Sequence, residues 1–141
     1  MVNVHSDYKF VIAINKTIDI GVALNAASHV ALSIAAQATE EQKKLMSFTP
    51  FVDANNTVLP SISGLSLIVL RGSQGDLTKL VSAAKEHGLL HADFIETMTG
   101  GTYAEQLERT KANTEHLYYA VALFGKKEMI DPLTKRLSLY R

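Results

Sequence analysis

The stretch FVIAINKTIDIGVALNAASHVALSI, residues 10–34, decides the first two elements of the fold. An apolar run at residues 8–14, rich in β-branched and aromatic residues, predicts a buried β-strand. Residues 20–39 contain no Asp, Glu, Lys or Arg, and their apolar residues recur with helical spacing, which predicts a helix with Asp19 as its N-cap. The stripe that we expect to face the core consists of Ile20, Ala23, Leu24, Ala27, Ala31, Ile34 and Ala38.

The charge-free helix carries one ionisable side chain, His29, almost opposite that stripe. A helix that lies on a sheet normally shows charges on its outer face, whereas the neighbours of His29 there are Val22, Ala26, Ser33 and Ala36. Interspersed polar residues argue against a membrane span. We therefore expect protein to cover this helix on every side, either other segments of the chain or a second copy. His29 is then either a satisfied core or interface histidine or a polar group that lines a cleft.

The rest of the chain is typical of alternating strands and helices. The patterns predict strands at 65–70, 91–98 and 117–124, helices at 76–87, 103–113 and 128–137, and a short edge strand at 137–139. Pro50 and Pro60 restrict the extended segments between residues 46 and 63 to edge or loop positions. The strand–helix–strand unit predicts a crossover between two strands of one sheet. We expect residues 1–141 to form a single three-layer α/β domain.

Composition narrows the class of function. The 141 residues include 14 basic and 14 acidic side chains, and this balance makes a nucleic-acid partner the least favoured one. Cysteine is absent and the first ten residues lack the apolar region of a signal peptide, so we expect a cytoplasmic protein. The Gly-rich stretches match no nucleotide-binding motif, and Gly88 separates His87 from His91. We expect no cofactor, no metal site and no membrane partner.

Polar residues near the ends of two predicted strands are candidates for a cleft. Asn15 follows the first strand, and Glu96 and Thr97 lie near the carboxyl end of the third. In open α/β sheets, ligands bind outside the carboxyl ends of the strands. We therefore expect Asn15, Glu96 and Thr97 to line a cleft, while a solvated strand-end carboxylate is the alternative interpretation of Glu96.

The first strand and helix resemble those of the type II peptidyl-tRNA hydrolases. Gly21 precedes His29 by eight residues in an Ala-rich helix, as in that family. Val22 stands where the family has Lys, and Ala26 stands where it has Gln. Asn15 stands where the family has an Asp at the end of the strand.

Two further stretches extend or limit this resemblance. Residues 118–139, YYAVALFGKKEMIDPLTKRLSL, are similar to the family's last strand and helix, whereas residues 95–100, IETMTG, do not match its catalytic Asp-Ala-Gly-x-Thr-Gln segment. The whole chain more closely resembles an uncharacterised bacterial family of the same superfamily, the domain of unknown function two-thousand. That family has an Ala-rich helix with Asn and His, a methionine-bearing segment after the third strand, and an ALFG strand.

This resemblance implies a three-layer α/β/α sandwich with a mixed four-stranded sheet, and a homodimer. It points to Gly21, Asn25 and Thr99 as binding residues, in addition to Asn15 and Thr97. Two hypotheses for function follow. The favoured one is a dimeric domain that binds a small molecule or a partner. The alternative is a hydrolase of ester-type, peptidyl-tRNA-like substrates, with His29 as polariser or base and Glu96 positioning water or substrate.

Overall fold

The computed structural model describes residues 7–141, so the polar segment before them, His5 included, lies outside the described part. The strands are β1 (Tyr8–Asn15), β2 (Phe48–Val52), β3 (Val58–Ser63), β4 (Leu67–Gly72), β5 (Leu90–Ile95), β6 (Tyr118–Lys126) and β7 (Ser138–Leu139). The helices are α1 (Ile20–Gln37), α2 (Glu40–Leu45), α3 (Gln74–His87), α4 (Tyr103–Lys111) and α5 (Lys127–Thr134). A short 3₁₀ turn, Glu96–Met98, follows β5, so the third predicted strand ends earlier than expected.

The main sheet is mixed and has the strand order β5-β6-β1-β4-β7. β1 runs parallel to β4, and β6 runs antiparallel to both β1 and β5. The carboxyl ends of β1, β4 and β5 therefore share one edge of the sheet. The expected count of four strands is wrong, because Ser138 and Leu139 pair with β4 and add a fifth. β2 and β3 form a separate two-stranded antiparallel sheet.

Helices cover both faces of the main sheet. The side chains of β1 alternate between the two faces, as the period of a strand requires. Phe10, Ile12 and Ile14 pack in the core under α1, whereas Val11 and Ala13 pack in the core under α3 and α5. The continuous apolar run that predicted a buried strand is thus a strand with a hydrophobic core on each side.

The expectation that α1 is covered on every side is wrong for the single chain. The residues of α1 that are buried are Ala23, Ala26, Val30 and Ile34. Leu24 is 62% exposed and Leu32 is 70% exposed, although Leu24 belongs to the predicted core stripe. The prediction fails because α1 carries its own apolar residues all around the helix axis, so their periodicity does not single out one buried face. The small side chain of Ala26 lies against the sheet instead.

α1 also meets the length and composition criteria for a membrane span, with a mean hydropathy of 1.3. Among the residues that the structure describes, it is the one helix to do so. These criteria alone are weak, because a helix that packs in a core passes the same test. Here the buried residues of α1 pack in the core on one face of the main sheet.

Candidate binding site

Asn15, a predicted cleft residue, is buried at the carboxyl end of β1. Its Nδ2 donates a hydrogen bond of 3.0 Å to the carbonyl oxygen of Tyr118. Its Oδ1 accepts hydrogen bonds from the backbone N–H and the hydroxyl of Thr17, at 3.0 and 2.7 Å. The amide therefore fixes the turn after β1 and joins it to the start of β6.

Glu96, Thr97 and Thr99 lie in the segment that follows β5. Glu96 is exposed in the 3₁₀ turn, and its carboxylate has no hydrogen bond or ion pair within residues 7–141. Burial raises the pKa of the Tyr119 phenol, and the negative charge of Glu96 adds to this effect. The hydroxyl of Thr97 is hydrogen-bonded to that of Thr110 at 2.8 Å, and the hydroxyl of Thr99 donates to the Glu96 carbonyl oxygen. Both threonine hydroxyls thus hold this segment in place.

The segment after β5 is also fixed from α4. The Arg109 guanidinium donates hydrogen bonds to the carbonyl oxygens of Thr99 and Gly100, at 2.6 and 2.8 Å. Thr102 and Glu105 form a capping box at the start of α4. Hydrogen bonds from Thr102 lower the pKa of the Glu105 carboxyl. These contacts hold the start of α4 near the end of β5.

His29 lies in an open groove of about 370 Å³ between α1, β5 and the start of α4. Its imidazole stacks on the ring of Phe94, with ring centroids 5.1 Å apart and an angle of 20° between the planes. Ser33, Met98, Tyr103 and Gln106 are among the other lining residues. Within the described chain, neither imidazole nitrogen of His29 has a hydrogen-bond partner.

The structure does not gather the other predicted residues around His29. Asn15 and Glu96 are not among the described residues that line its groove, and neither are Gly21 and Asn25. Gly21 and Asn25 lie exposed on α1, and a Cβ atom at Gly21 would meet nothing within 4 Å. Gly21 is therefore not required for a close approach of the backbone.

A second, apolar cavity of about 270 Å³ lies between α1, the hairpin β2–β3 and the main sheet. Sequence reasoning missed it because Pro50 and Pro60 had suggested that the hairpin was peripheral. The sequence feature that could have indicated the cavity is the absence of charged residues from both strands of the hairpin. The lining residues are Phe10, Val11, Ile12, Ala31, Ile34, Ala35, Met46, Phe48, Ser61, Ile62, Ser63, Leu67, Ala122 and Leu123.

No charged side chain is among the described residues that line this apolar cavity. Its two hydroxyl groups belong to Ser61 and Ser63. The Ser63 hydroxyl is satisfied, since it donates to the Met46 carbonyl oxygen and accepts from the Leu65 N–H at 3.1 Å. The volume exceeds the roughly 150 Å³ of an engineered apolar cavity that binds benzene. The cavity therefore suits a compact, uncharged molecule.

The cavity is open to solvent at its rim. Ile62 is 61% exposed and Leu67 is 50% exposed, and Ala31 is exposed on α1. In contrast, Met46 is fully buried and Ile34 is nearly so. A molecule can thus enter from the rim and contact buried apolar groups without unfolding of the sheet.

A larger cleft, about 400 Å³, lies between α3 and α5. Its charged lining residues are Asp76, Lys79, Lys135 and Arg136. Lys79, Lys135 and Arg136 are exposed, and Asp76 already caps α3 together with Ser73. Exposed charges of this kind are solvated in the absence of a ligand, so this cleft gives a weaker indication of a binding site than the apolar cavity.

Comparison with known protein families identifies the family to which the chain is related. Residues 8–141 match the family described as "Protein of unknown function (DUF2000)". The chain belongs to this family. The closer of the two resemblances predicted from the sequence is therefore confirmed. The match concerns a family of unknown function, and the wider link to the type II peptidyl-tRNA hydrolases stays a prediction.

A solved structure is similar to this DUF2000 protein over nearly its whole length. It is a protein of unknown function, Atu0240, from Agrobacterium tumefaciens str. C58. The match has a TM-score of 0.80 and 20% sequence identity, and it covers 96% of this chain and 98% of the other. At this identity the similarity establishes the fold alone. No curated protein matches the chain.

Proposed function

We propose that this DUF2000 protein is a cytoplasmic binding protein that takes a compact, uncharged apolar molecule into the cavity between α1 and the hairpin β2–β3. The observation that carries the proposal is the charge-free lining of that cavity, with buried groups such as Met46 at its base. Ligand sites are typically concave and mainly apolar, with few polar groups. The Ser61 hydroxyl supplies one polar group at the rim.

The hydrophobic effect provides the affinity in this proposal. Each methylene that leaves water contributes about 0.8 kcal/mol, so a ligand with about six carbon atoms gains roughly 5 kcal/mol before the costs of association. A charged ligand loses this advantage, because no lining side chain within the described residues pairs with its charge. The protein should therefore prefer the neutral member of a pair of molecules with the same shape.

The alternative function is a hydrolase for ester-type, peptidyl-tRNA-like substrates. The observation in its favour is the exposed imidazole of His29, which Phe94 orients at the side of an open groove. Its weakness is that Val22 and Ala26 stand where the related hydrolases have Lys and Gln, and the amide of Asn15 is engaged in structural hydrogen bonds. An ester panel and a peptidyl-tRNA assay test this function. Turnover that falls at least tenfold in His29→Ala supports it, and rates that the substitution leaves unchanged reject it.

A titration followed by amide NMR tests the favoured function. Toluene is the neutral probe and benzoate is the charged probe of similar shape. We expect saturable shifts around Ile34 and Met46 with toluene and none with benzoate. Ala35→Phe fills the cavity from α1 and should abolish the response.

Ala36→Phe is the matched control, because Ala36 is the next residue of α1, is exposed and does not line the cavity. This variant should bind toluene as the unmodified protein does. Equal toluene binding by Ala35→Phe, or equal binding of benzoate and toluene by the unmodified protein, would overturn the proposal.

A further inference from the structure

The distal half of the hairpin β2–β3 exposes apolar side chains on both of its faces. Phe51 lies opposite Leu59, and Val52 lies opposite Val58. Opposed residues in an antiparallel pair share a face, while successive residues of a strand point to opposite faces. These four side chains are between 45% and 64% exposed, so neither face is covered. We call this part of the hairpin, residues 51–59, the arm.

The hairpin stands apart from the rest of the chain. The Cα traces of β2 and β3 lie close to each other and have at most marginal contact with any other helix or strand of the described chain. Its base is fixed by the Gly64 N–H, which donates to the Ser47 carbonyl oxygen at 2.9 Å, and by the hydroxyl of Ser63. A two-stranded hairpin is marginally stable in water by itself. An apolar surface packed against the arm would therefore stabilise it.

The arm and α1 carry almost no charge. Asp53 is the one charged residue within residues 48–63, and its carboxylate accepts the backbone N–H groups of Asn55 and Thr57 in the turn. α1 has no charged residue, and it exposes Leu24 and Leu32. Soluble monomers rarely expose continuous apolar patches larger than a few hundred Å². Two uncharged apolar surfaces on one chain can therefore cover each other between two copies without repulsion.

We infer that the arm of one copy packs against the exposed face of α1 in a second copy, and that a two-fold axis repeats the contact. The large apolar side chains concerned are Ile20, Leu24 and Leu32 on α1 and Val52 and Val58 on one face of the arm. Their exposed surface is roughly 600 Å² per copy, which is the lower end of what a standard interface buries on each partner. Such an isologous contact closes at two copies.

In this contact the hairpin presents the side chains on one of its faces and does not pair through the free edge of β2 or β3. Pro50 lies within β2 and Pro60 lies within β3, and proline cannot donate to a strand ladder. A shift of register also occurs between Thr49 and Phe51. These features protect the edges of the hairpin against the addition of another strand.

A second copy fits the arm better than a membrane surface does. The charged residues of α2, near the base of the hairpin, balance each other: Lys43 pairs with Glu40 and Lys44 pairs with Glu41, at 3.6 and 3.4 Å. Binding to anionic lipids depends on clustered cations, each of which contributes about 1 kcal/mol. The net charge of the chain is zero.

Sedimentation velocity over the micromolar range tests the inference. The unmodified protein should be a dimer, and Val58→Glu or Leu32→Glu should each raise the dimer dissociation constant at least a hundredfold. Ser82→Glu is the matched control, since Ser82 is exposed on α3 at the other face of the sheet. Ser82→Glu should remain a dimer.

An unmodified protein that stays monomeric at high micromolar concentration would overturn the inference. So would flotation of that monomer with phosphatidylcholine–phosphatidylserine vesicles that Val58→Glu abolishes. Both glutamate variants should unfold cooperatively and bind toluene as before, because Val58 and Leu32 do not line the cavity. Sedimentation tests the dimer and toluene titration tests the proposed binding, so a negative result for one can be distinguished from a negative result for the other.

Discussion

The side-chain amide of Asn15 donates a hydrogen bond of 3.0 Å to the carbonyl oxygen of Tyr118 and thereby joins the end of β1 to the start of β6. The opposite end of the amide accepts two hydrogen bonds from Thr17. Asn15 is only 1% exposed. A residue expected to face a ligand is therefore a buried part of the framework at the carboxyl edge of the sheet.

Asn15→Asp should lower the free energy of unfolding by about 3 kcal/mol at neutral pH. A carboxylate cannot donate to the Tyr118 carbonyl oxygen, and it places a charge in a buried site. Burial raises the folded-state pKa of the introduced carboxyl, so the deficit should shrink as the pH falls toward 4. Urea unfolding at the two pH values measures both effects.

Asn25→Asp is the control for that substitution, because Asn25 is exposed on α1. It should change the free energy of unfolding by less than about 0.5 kcal/mol. If Asn15→Asp were as stable as Asn25→Asp, the structural role of Asn15 would be wrong.

Gly21→Ala should raise the free energy of unfolding by about 0.4 to 1 kcal/mol. Gly21 lies in the first turn of α1, and a Cβ atom there meets nothing within 4 Å. Alanine loses less backbone entropy than glycine when the helix forms. Gly88→Ala should instead destabilise the protein by about 1 to 2 kcal/mol, since Gly88 ends α3 with a φ of 64°. Thermal unfolding of the two variants must give shifts of opposite sign.

The loss of stability in acid should depend on the capping box that Ser73 and Asp76 form at the start of α3. Hydrogen bonds from the backbone N–H and the side chain of Ser73 lower the pKa of the Asp76 carboxyl below its ordinary value of 3.8. A carboxyl with a lowered folded-state pKa stabilises the protein at all pH values above its unfolded pKa. That contribution is lost as the pH falls from about 4 through the folded pKa.

Asp76→Asn should therefore show a shallower loss of stability below pH 4 than the unmodified protein. Ser73→Ala should cost about 1 kcal/mol at pH 7, because the N–H of Asp76 loses its acceptor. Urea unfolding across this pH range measures both quantities. A steeper acid limb in Asp76→Asn would contradict the assignment.

The strands of the main sheet could be predicted because their signal is local. β1 and β6 are continuous apolar runs, and such runs occur where a strand has a core on both faces. Gly88 directly follows the predicted helix 76–87, and it ends α3 in the left-handed region. The two-residue strand β7 is too short for a periodic pattern and depends on its pairing with Leu70 and Arg71.

The orientation of α1 and the cavity beside it could not be predicted in this way. Leu24 and Ala26 lie on opposite faces of α1, and both faces are apolar. Packing in the same core as Phe94 and Phe124 decides that the Ala26 face is the buried one. The cavity depends on the separation of three elements that are distant in sequence. Periodicity in one segment contains no information on such a distance.

The most direct test of the central claim is a crystal structure of the protein under xenon pressure. Xenon occupies apolar cavities that water leaves empty. We predict xenon bound among Ile34, Met46 and Phe48, between α1 and the hairpin. A space that takes up no xenon, or a hairpin collapsed onto α1 with no room for it, would contradict the proposal that the cavity is an apolar binding site.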